Sequence, residues 1–192
     1  MVKHKNPQQK KGELRIIAGK WRGSKIYFDD KASFRPTPNR VRETLFNWLA
    51  PHIQGAICLD LFAGSGALSF EALSRGAAQC VALDKDPSVV QQLIANAERL
   101  QFSNLTVMQQ IFPYSPSLFL DFSPFNVVFI DPPFHQNLAQ QVINWLQSIK
   151  FLTKPAFIYV EQSIYEPAVV IPPDWQILKE KTAGNVRYLL LS

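Results

Sequence analysis

The sequence predicts an α/β fold built on an open, mostly parallel sheet, with an antiparallel hairpin at its C-terminal end and a small N-terminal β-hairpin. From residue 56 onward, short apolar runs alternate with amphipathic segments, a pattern typical of strand–helix units in a sheet covered on both faces. Gly184-Asn185 separates the last two strand-like runs, as expected for a tight hairpin. The 192 residues suffice for one domain with a small extension.

The N-terminal region divides into a tail and a hairpin. Residues 1–12 are polar and basic, so we expect a disordered tail. Strand-like runs at 14–18 and 24–28 flank a glycine-bounded turn, which predicts a β-hairpin within residues 13–34. Residues 35–192 then form the main domain.

The main domain should open with a helix. Arg35-Pro36-Thr37-Pro38 is a stiff, extended entry, and we predict Thr37 as the N-cap residue with Pro38 at the first helical position. Apolar residues at helical spacing between positions 41 and 49 would face the core.

The remaining elements follow from hydrophobic periodicity. We predict amphipathic helices at 87–100 and 135–149. The final strands, at 175–183 and 186–191, should run antiparallel. The apolar runs that predict the preceding strands are 56–60, 79–84, 105–109, 125–130 and 156–161.

Charge is distributed unevenly along the chain. Residues 1–42 carry twelve Lys or Arg and three acidic residues, a net +9, whereas the other 150 residues carry a net −4. A basic arm on a mildly acidic body suits attraction to a polyanion. A solvated tail without a partner is the alternative interpretation.

Composition excludes several classes of protein. No apolar run approaches the roughly 20 residues of a membrane helix, and the basic N-terminus lacks the apolar stretch of a signal peptide, so we expect a cytoplasmic protein. Cys58 and Cys80 lie in apolar runs, which predicts buried free thiols. His, Cys and acidic residues show no metal-ligand spacing, so we expect no metal.

The first of two informative turns follows the strand at 56–60. Its two glycines permit positive φ and close backbone approach, and the next helix would present free N–H groups to a ligand. Ser69 stands where a dinucleotide-binding loop has its third glycine, and Asp60 would repel a pyrophosphate but suit the ammonium group of S-adenosylmethionine. The predicted cofactor contacts are Asp60, Phe62, Ala63, Gly64, Ser65 and Gly66.

An acidic residue ends the second parallel strand. Asp84 lies 18 residues after Gly66, where a carboxylate can accept hydrogen bonds from both ribose hydroxyls of an adenosine. An exposed strand-end carboxylate beside Lys85 is the alternative.

The second informative turn, Asp131-Pro132-Pro133-Phe134, ends the fourth strand. Because two successive prolines provide no N–H, the turn offers acceptors alone. The Asp131 carboxylate and the Pro132 carbonyl can accept both hydrogens of an exocyclic amine, while Phe134 stacks on a flipped base. Holding the amine draws its lone pair toward nitrogen, and orientation of this kind supplies on the order of 7–11 kcal/mol. The turn therefore predicts methyl transfer, with these four residues as the catalytic set.

These residues resemble those of the class I S-adenosylmethionine-dependent methyltransferases that modify exocyclic amines, and more narrowly the bacterial 16S rRNA guanine-N2 methyltransferase family. The similarity covers nearly the whole chain after residue 12. It is carried by residues 15–19, 21–23, 35–37 with 40–46, 60–68 and 131–134.

The resemblance implies a Rossmann-like sheet of seven strands and a class I methyltransferase domain over residues 35–192. It implies transfer of a methyl group from S-adenosyl-L-methionine to N2 of one guanine of 16S rRNA, within small-subunit assembly particles. We expect a monomer.

The resemblance also implies roles for single positions. The segment Arg35, Pro36 and Thr37 would help to hold the cofactor, as would Lys85. The family usually has Glu where this chain has the shorter Asp84. Ile111 stands where Asp or Asn would be expected near the adenine amine, so backbone groups or Gln110 would recognise the adenine.

The hairpin is the predicted RNA contact. Its basic side chains would bind phosphates with an affinity that falls steeply with salt, and its indole ring is available to stack on a base. The predicted contacts are Arg15, Lys20, Trp21, Arg22 and Lys25.

Three other functions share part of this pattern. A DNA amino-methyltransferase would use the same turn chemistry but usually needs a further target-recognition region, and about 40 residues precede the core here. A nonenzymatic RNA-binding assembly factor would not need an intact Asp131–Phe134 turn. An NAD-linked oxidoreductase is disfavoured by the missing third glycine.

Overall fold

The structure is a computed structural model and describes residues 11–29, 37–134 and 136–192. The first ten residues of the tail predicted over 1–12, the predicted cofactor residues Arg35 and Pro36, and the predicted helix start at His135 lie outside this part of the chain. Residues 11 and 12, the rest of the predicted tail, belong to a strand. Within it, no helix has the length and apolar character needed to cross a bilayer.

The described residues form two sheets and four α-helices. The small sheet contains β1 (Lys11–Arg15) and β2 (Lys25–Asp29), and a 3₁₀ helix spans Pro116–Phe119. The helices are α1 (Asn39–Leu49), α2 (Ala67–Ser74), α3 (Pro87–Leu100) and α4 (Leu138–Ser148). The strands of the large sheet are β3 (Ile57–Asp60), β4 (Gln79–Asp84), β5 (Leu105–Gln109), β6 (Phe125–Ile130), β7 (Leu152–Ser163), β8 (Ile177–Ala183) and β9 (Val186–Leu191).

The large sheet has the strand order β5-β4-β3-β6-β7-β9-β8. Strands β3 to β7 pair in parallel, whereas β9 is antiparallel to both β7 and β8. The chain builds outward from β3 to β5 and then continues on the other side of β3 with β6. The strand order therefore reverses between β3 and β6, and such a switch point is where open α/β sheets bind ligands.

The predicted fold class and most predicted elements are confirmed. Strands β4, β5, β6 and β9 and helix α3 have the predicted limits. Strand β7 is longer than predicted at both ends, and α4 begins at Leu138 instead of residue 135. Periodicity marks the buried centre of each element well, because burial sets it, but it says little about the ends.

Two hydrophobic layers cover the large sheet. One face packs against α1, α2, α3 and the small sheet, and the other against α4 and the 3₁₀ helix. Cys58 and Cys80 are buried free thiols on the first face, as predicted.

The N-terminal hairpin shares the core of the main domain. Strand β1 begins at Lys11, two residues before the predicted start of the hairpin region. Ile26 and Phe28 are buried in the first hydrophobic layer. The Asp29 amide donates to Gln92 Oε1 of α3 at 2.8 Å, so β2 runs alongside that helix.

A buried ion cluster fastens the hairpin to α2. The Glu71 carboxylate is fully buried and accepts hydrogen bonds from the backbone amides of Ile17 at 2.8 Å and Ala18 at 3.1 Å. It also pairs with Arg75 Nε at 2.7 Å and lies 3.7 Å from Nη1 of the buried Arg42. Because a buried charge is costly unless it is paired and hydrogen-bonded, this cluster fixes where the hairpin attaches.

Candidate active site

The glycine turn and the Asp131 turn open at one edge of the sheet. Strands β3 and β6 are parallel neighbours, and Asp60 is the Cα partner of Phe129, two residues before Asp131. The Leu61 amide extends this pairing by donating to the Phe129 carbonyl at 3.1 Å. Both turns therefore leave the carboxyl ends of adjacent strands at the switch point of the sheet.

The glycine turn has the backbone shape that the sequence predicts. Gly64 and Gly66 have φ values of 51° and 78°, and α2 begins at the next residue, Ala67. A Cβ atom at Gly66 would lie 2.6 Å from side-chain atoms of both Phe70 and Leu93. Glycine is thus required at position 66 by conformation and by space.

Hydrogen bonds and burial fix the other residues of the glycine turn. The buried Ala63 donates its amide to the Leu83 carbonyl at 2.9 Å, and Ser65 is also buried. Phe62 is half-buried against the second hydrophobic layer. The Tyr114 hydroxyl donates to the Leu61 carbonyl at 2.5 Å. This bond fixes the start of the turn from the second hydrophobic layer.

Asp60 places a buried carboxyl group directly beside the turn. It is 1% exposed, and Ser69 Oγ donates to its Oδ2 at 2.6 Å. Its Oδ1 has no hydrogen-bond partner among the described residues. Burial raises the pKa of Asp60 to about 7, although the Ser69 hydrogen bond opposes the shift. A buried carboxyl with an unused acceptor fits a ligand that carries a cationic group.

Asp84 is oriented by two backbone amides. Its Oδ2 accepts from Gly64 N at 3.0 Å and its Oδ1 from Asp86 N at 2.9 Å. Each carboxylate oxygen keeps a second lone pair, so the group can still accept hydrogen bonds from two ribose hydroxyls. The structure therefore connects the glycine turn and the predicted ribose acceptor directly.

The other predicted cofactor residues flank this edge. Lys85 is exposed, and its carbonyl accepts from Gln109 Nε2 at 3.3 Å. The Gln110 amide donates to the Asp84 carbonyl at 2.9 Å, which continues the β4–β5 pairing. Ile111 follows with 67% of its surface exposed, an apolar side chain at the carboxyl end of β5.

A hydrogen bond from the segment that precedes α1 holds the turn at Asp131–Phe134. Thr37 Oγ1 donates to Asp131 Oδ2 at 3.0 Å. Pro132 is buried, Pro133 is exposed, and Phe134 is 36% exposed, so its ring borders the edge. Burial raises the pKa of Asp131 to about 6, and the Thr37 hydrogen bond opposes the shift.

The predicted capping role of Thr37 is wrong. Pro38 precedes the first helical residue of α1, and no side chain caps that helix. The Thr37 hydroxyl is instead used by Asp131, an acceptor 94 positions away in the chain that sequence spacing cannot reveal.

The turn of the hairpin lies at the opposite end of the sheet from Asp131. Helix α2 runs away from the glycine turn, and its last residue, Ser74, accepts the Lys20 amide at 2.8 Å. The Trp21 ring stacks on Phe102 with centroids 4.1 Å apart, and its Nε1 donates to the Leu100 carbonyl at 2.8 Å. Trp21 therefore has a packing role inside the molecule, and base stacking by its ring stays a prediction.

The basic side chains of the hairpin differ in their exposure and in the contacts they make within the protein. Lys20 and Arg22 are exposed. Lys20 Nζ lies 4.4 Å from the centroid of the Trp21 ring. Arg15 Nη1 donates to the Gly23 carbonyl at 3.2 Å, and Lys25 Nζ pairs with Glu13 at 2.9 Å. Their contact with RNA stays a prediction.

Sequence analysis missed one acidic residue at this edge. Glu161 lies near the end of β7, beside β6, and is 3% exposed. The available signal was an acid at the end of the strand-like run 156–161, the same position that Asp60 and Asp84 occupy in their runs. Among the residues described, no group of three or more His, Cys, Asp or Glu side chains is arranged to hold a metal ion.

Comparisons with known proteins agree with this geometry. Residues 14–192 match the protein family described as conserved hypothetical protein 95. The chain is 46% identical over 181 residues to ribosomal RNA small subunit methyltransferase D of Escherichia coli strain K12, covering 93% of this chain and 89% of that protein. Identity to the Haemophilus influenzae protein of the same name is 47% over 184 residues, covering 94% of each.

A solved structure has the same fold. The Escherichia coli protein yhhF superposes with a TM-score of 0.81 at 44% sequence identity, covering 94% of this chain and 97% of that one.

Proposed function

The chain belongs to this family, which includes bacterial small-subunit ribosomal RNA methyltransferases, and we propose that it transfers a methyl group from S-adenosyl-L-methionine to the exocyclic N2 amine of a guanine in 16S rRNA. The observation that carries the proposal is the β3–β6 pairing, which brings the glycine turn and Asp131 to one edge. A methyl donor and an amine held by these two turns would lie side by side.

The residues at the edge fit the proposed cofactor. Asp84 would accept the ribose hydroxyls, the glycine turn and the start of α2 would receive the methionine part, and Asp60 would favour its ammonium group. Ile111 offers an exposed apolar surface to the adenine, and the backbone near Gln110 offers polar groups to its edge. When bound, the cofactor supplies a methyl group activated by a sulfonium.

The catalytic turn would hold the amine for attack. Asp131 Oδ and the Pro132 carbonyl accept its two hydrogens, and Phe134 stacks on the base. The N2 lone pair then forms the new N–C bond while the methyl C–S bond breaks, and positive charge passes from sulfur to nitrogen. One proton must leave that nitrogen, and Asp131 is the carboxylate in contact with it.

The substrate assignment rests on family membership together with the charge distribution. Two relatives are named as small-subunit ribosomal RNA methyltransferases. The net +9 over residues 1–42 suits a polyanion, and exposed Lys20 and Arg22 lie far enough from Asp131 to contact RNA beyond the target base. We assign the reaction to the cytoplasm, where small-subunit particles assemble.

Methylation of isolated substrates tests the proposal. Small ribosomal subunits from a strain lacking this protein, protein-free 16S rRNA and duplex DNA would each be incubated with methyl-labelled cofactor and the wild-type protein. We expect label on one guanine of 16S rRNA, identified as N2-methylguanine by mass spectrometry of the nucleosides. Label on DNA instead, or no label together with no cofactor binding in calorimetry, would contradict the proposal.

A further inference from the structure

A further carboxyl group, that of Glu161, lies beside Asp131 and has no part in the reaction described above. The register that pairs Ile130 of β6 with Val160 of β7 places the next residues, Asp131 and Glu161, next to each other. Side chains alternate along a strand, and positions in register point to the same face of a sheet. Both carboxyl groups therefore lie on the face that α1 covers, together with Tyr159.

One tyrosine is hydrogen-bonded to Glu161, and a second is its neighbour on β9. The Tyr159 hydroxyl donates a hydrogen bond to Glu161 Oε1 at 2.6 Å, and Tyr159 is fully buried. The Cα partner of Glu161 on β9 is Tyr188, which is 3% exposed.

Helix α1 covers these strands with aromatic side chains. Phe46 packs against Phe129 of β6, and Trp48 stacks on Tyr188 with centroids 5.4 Å apart. The buried cation of α1, Arg42, lies 3.7 Å from the carboxylate of Glu71 on α2. Its guanidinium is thus paired with Glu71, which also pairs with Arg75.

Two neighbouring carboxyl groups in such a site resist double ionisation, because each negative charge raises the cost of the other. Asp131 is the more exposed of the two and receives the Thr37 hydrogen bond, which favours its ionised form. Burial and the charge of Asp131 raise the pKa of Glu161 well above its ordinary value, although the Tyr159 hydrogen bond opposes the shift, whereas the pKa of Asp131 is about 6. The deeper burial of Glu161 therefore favours this residue as the one that holds the proton of the pair.

We propose that Glu161 is a positioning residue that works as a neutral carboxylic acid beside Asp131. In this state Asp131 is the ionised member of the pair and accepts the hydrogens of the substrate amine. When Asp131 takes the proton that leaves the methylated nitrogen, both carboxyl groups are neutral, and release of one proton to solvent restores the resting state. This inference rests on the proposed function, which supplies the amine.

Carboxyl titration by NMR tests the protonation state without a substrate. Wild-type protein labelled with ¹³C at the side-chain carboxyl carbons of Glu would be titrated from about pH 5 to about pH 9, with Glu161→Gln and Glu161→Asp identifying the signal. We expect the Glu161 carbon to keep the chemical shift of a protonated acid at pH near 7. The signal of the exposed Glu98, identified by Glu98→Gln, serves as the reference. An ionised Glu161 at that pH would overturn the proposal.

The pH profile of single-turnover methyl transfer tests the positioning role. The wild-type rate should rise as Asp131 ionises and fall at higher pH as Glu161 ionises and adds a second negative charge. Glu161→Gln cannot ionise, so its alkaline decline should disappear, whereas Glu161→Asp should retain one. Glu98→Gln, the same chemical change on an exposed helix, should follow the wild type.

The two experiments distinguish failure of the role proposed for Glu161 from failure of the proposed methyl transfer. Identical alkaline limbs in wild type and Glu161→Gln would overturn the role of Glu161 while leaving methyl transfer intact. If the wild type transfers no methyl group, the proposed function fails, and the NMR titration still decides the protonation state.

Discussion

The hydroxyl of Thr37 donates a 3.0 Å hydrogen bond to Asp131 Oδ2 and so joins the start of α1 to the end of β6. The bond fixes one carboxylate oxygen and leaves the other for the substrate amine. It also lowers the pKa of Asp131 against the effect of burial. The chain segment that enters α1 therefore controls both the direction and the charge of the proposed amine acceptor.

Replacing Thr37 should weaken catalysis through Asp131. Thr37→Val keeps the shape but loses a hydrogen bond to a charged group, worth about 1.5–3 kcal/mol, so kcat should fall about ten- to a hundredfold. The acid limb of the rate profile should move to higher pH, because the ionised form of Asp131 loses support. Thr37→Ser keeps the donor and should restore both properties. A Thr37→Val variant with the wild-type pH profile would contradict this role.

Removing the carboxylate itself should separate binding from chemistry. In Asp131→Ala the amine loses an acceptor and its orientation, so kcat should fall by at least about 10²–10³, as for loss of one preorganised catalytic hydrogen bond. Cofactor affinity, measured by calorimetry, should change little, since the predicted cofactor contacts lie chiefly on β3, β4 and β5. Loss of both together would instead place Asp131 in the cofactor site.

Asp60 should lower stability at neutral and alkaline pH. Its pKa is about 7 in the folded protein against an ordinary value of 3.8, so the folded state binds more protons than the unfolded state between these values. The free energy of unfolding should therefore decrease as pH rises from about 4 to about 7, by on the order of 3–4 kcal/mol from this residue.

Asp60→Asn removes that charge and keeps an acceptor for Ser69. Urea unfolding should show the variant more stable than the wild type at about pH 8 and nearly equal at about pH 4, while calorimetry shows weaker cofactor binding. The same stability difference at both pH values would show that titration of Asp60 is not its cause.

The Glu71 cluster should control attachment of the hairpin. Glu71→Ala leaves Arg42 buried without its carboxylate partner and two hairpin amides without their acceptor, so the free energy of unfolding should fall by about 3–5 kcal/mol. Limited proteolysis should then cut near residues 17–18 first. Glu98→Ala, an exposed acid on α3, should have little effect in either assay. A stable, protease-resistant Glu71→Ala protein would mean that apolar packing alone holds the hairpin.

The hairpin turn should contribute to RNA affinity without contributing to chemistry. Lys20→Ala/Arg22→Ala should weaken binding to 16S rRNA and reduce the slope of log affinity against log salt by about 1–2. At saturating RNA, kcat should match the wild type because the turn lies at the other end of the sheet from Asp131. Lys150→Ala/Lys154→Ala removes two exposed lysines elsewhere and serves as the control. An unchanged salt slope in the hairpin variant would reject the RNA contact.

The sequence by itself determined the sheet, its two turns and the chemistry they suggest. Strand–helix alternation, Gly64 and Gly66, and Asp131–Phe134 are local patterns, and burial of apolar faces leaves few ways to arrange them. The position of both turns at the carboxyl ends of β3 and β6 follows from that architecture.

The tertiary structure alone decided which distant side chains meet. Thr37 had the sequence pattern of a helix cap but donates to Asp131, and Glu71 accepts from the hairpin amides. The register of β6 and β7 places Glu161 beside Asp131. The hairpin turn proved to be at the end of the sheet away from the site. The physical reason is that polar groups are satisfied by whichever partners folding brings within about 3 Å, and spacing along the chain does not record those partners.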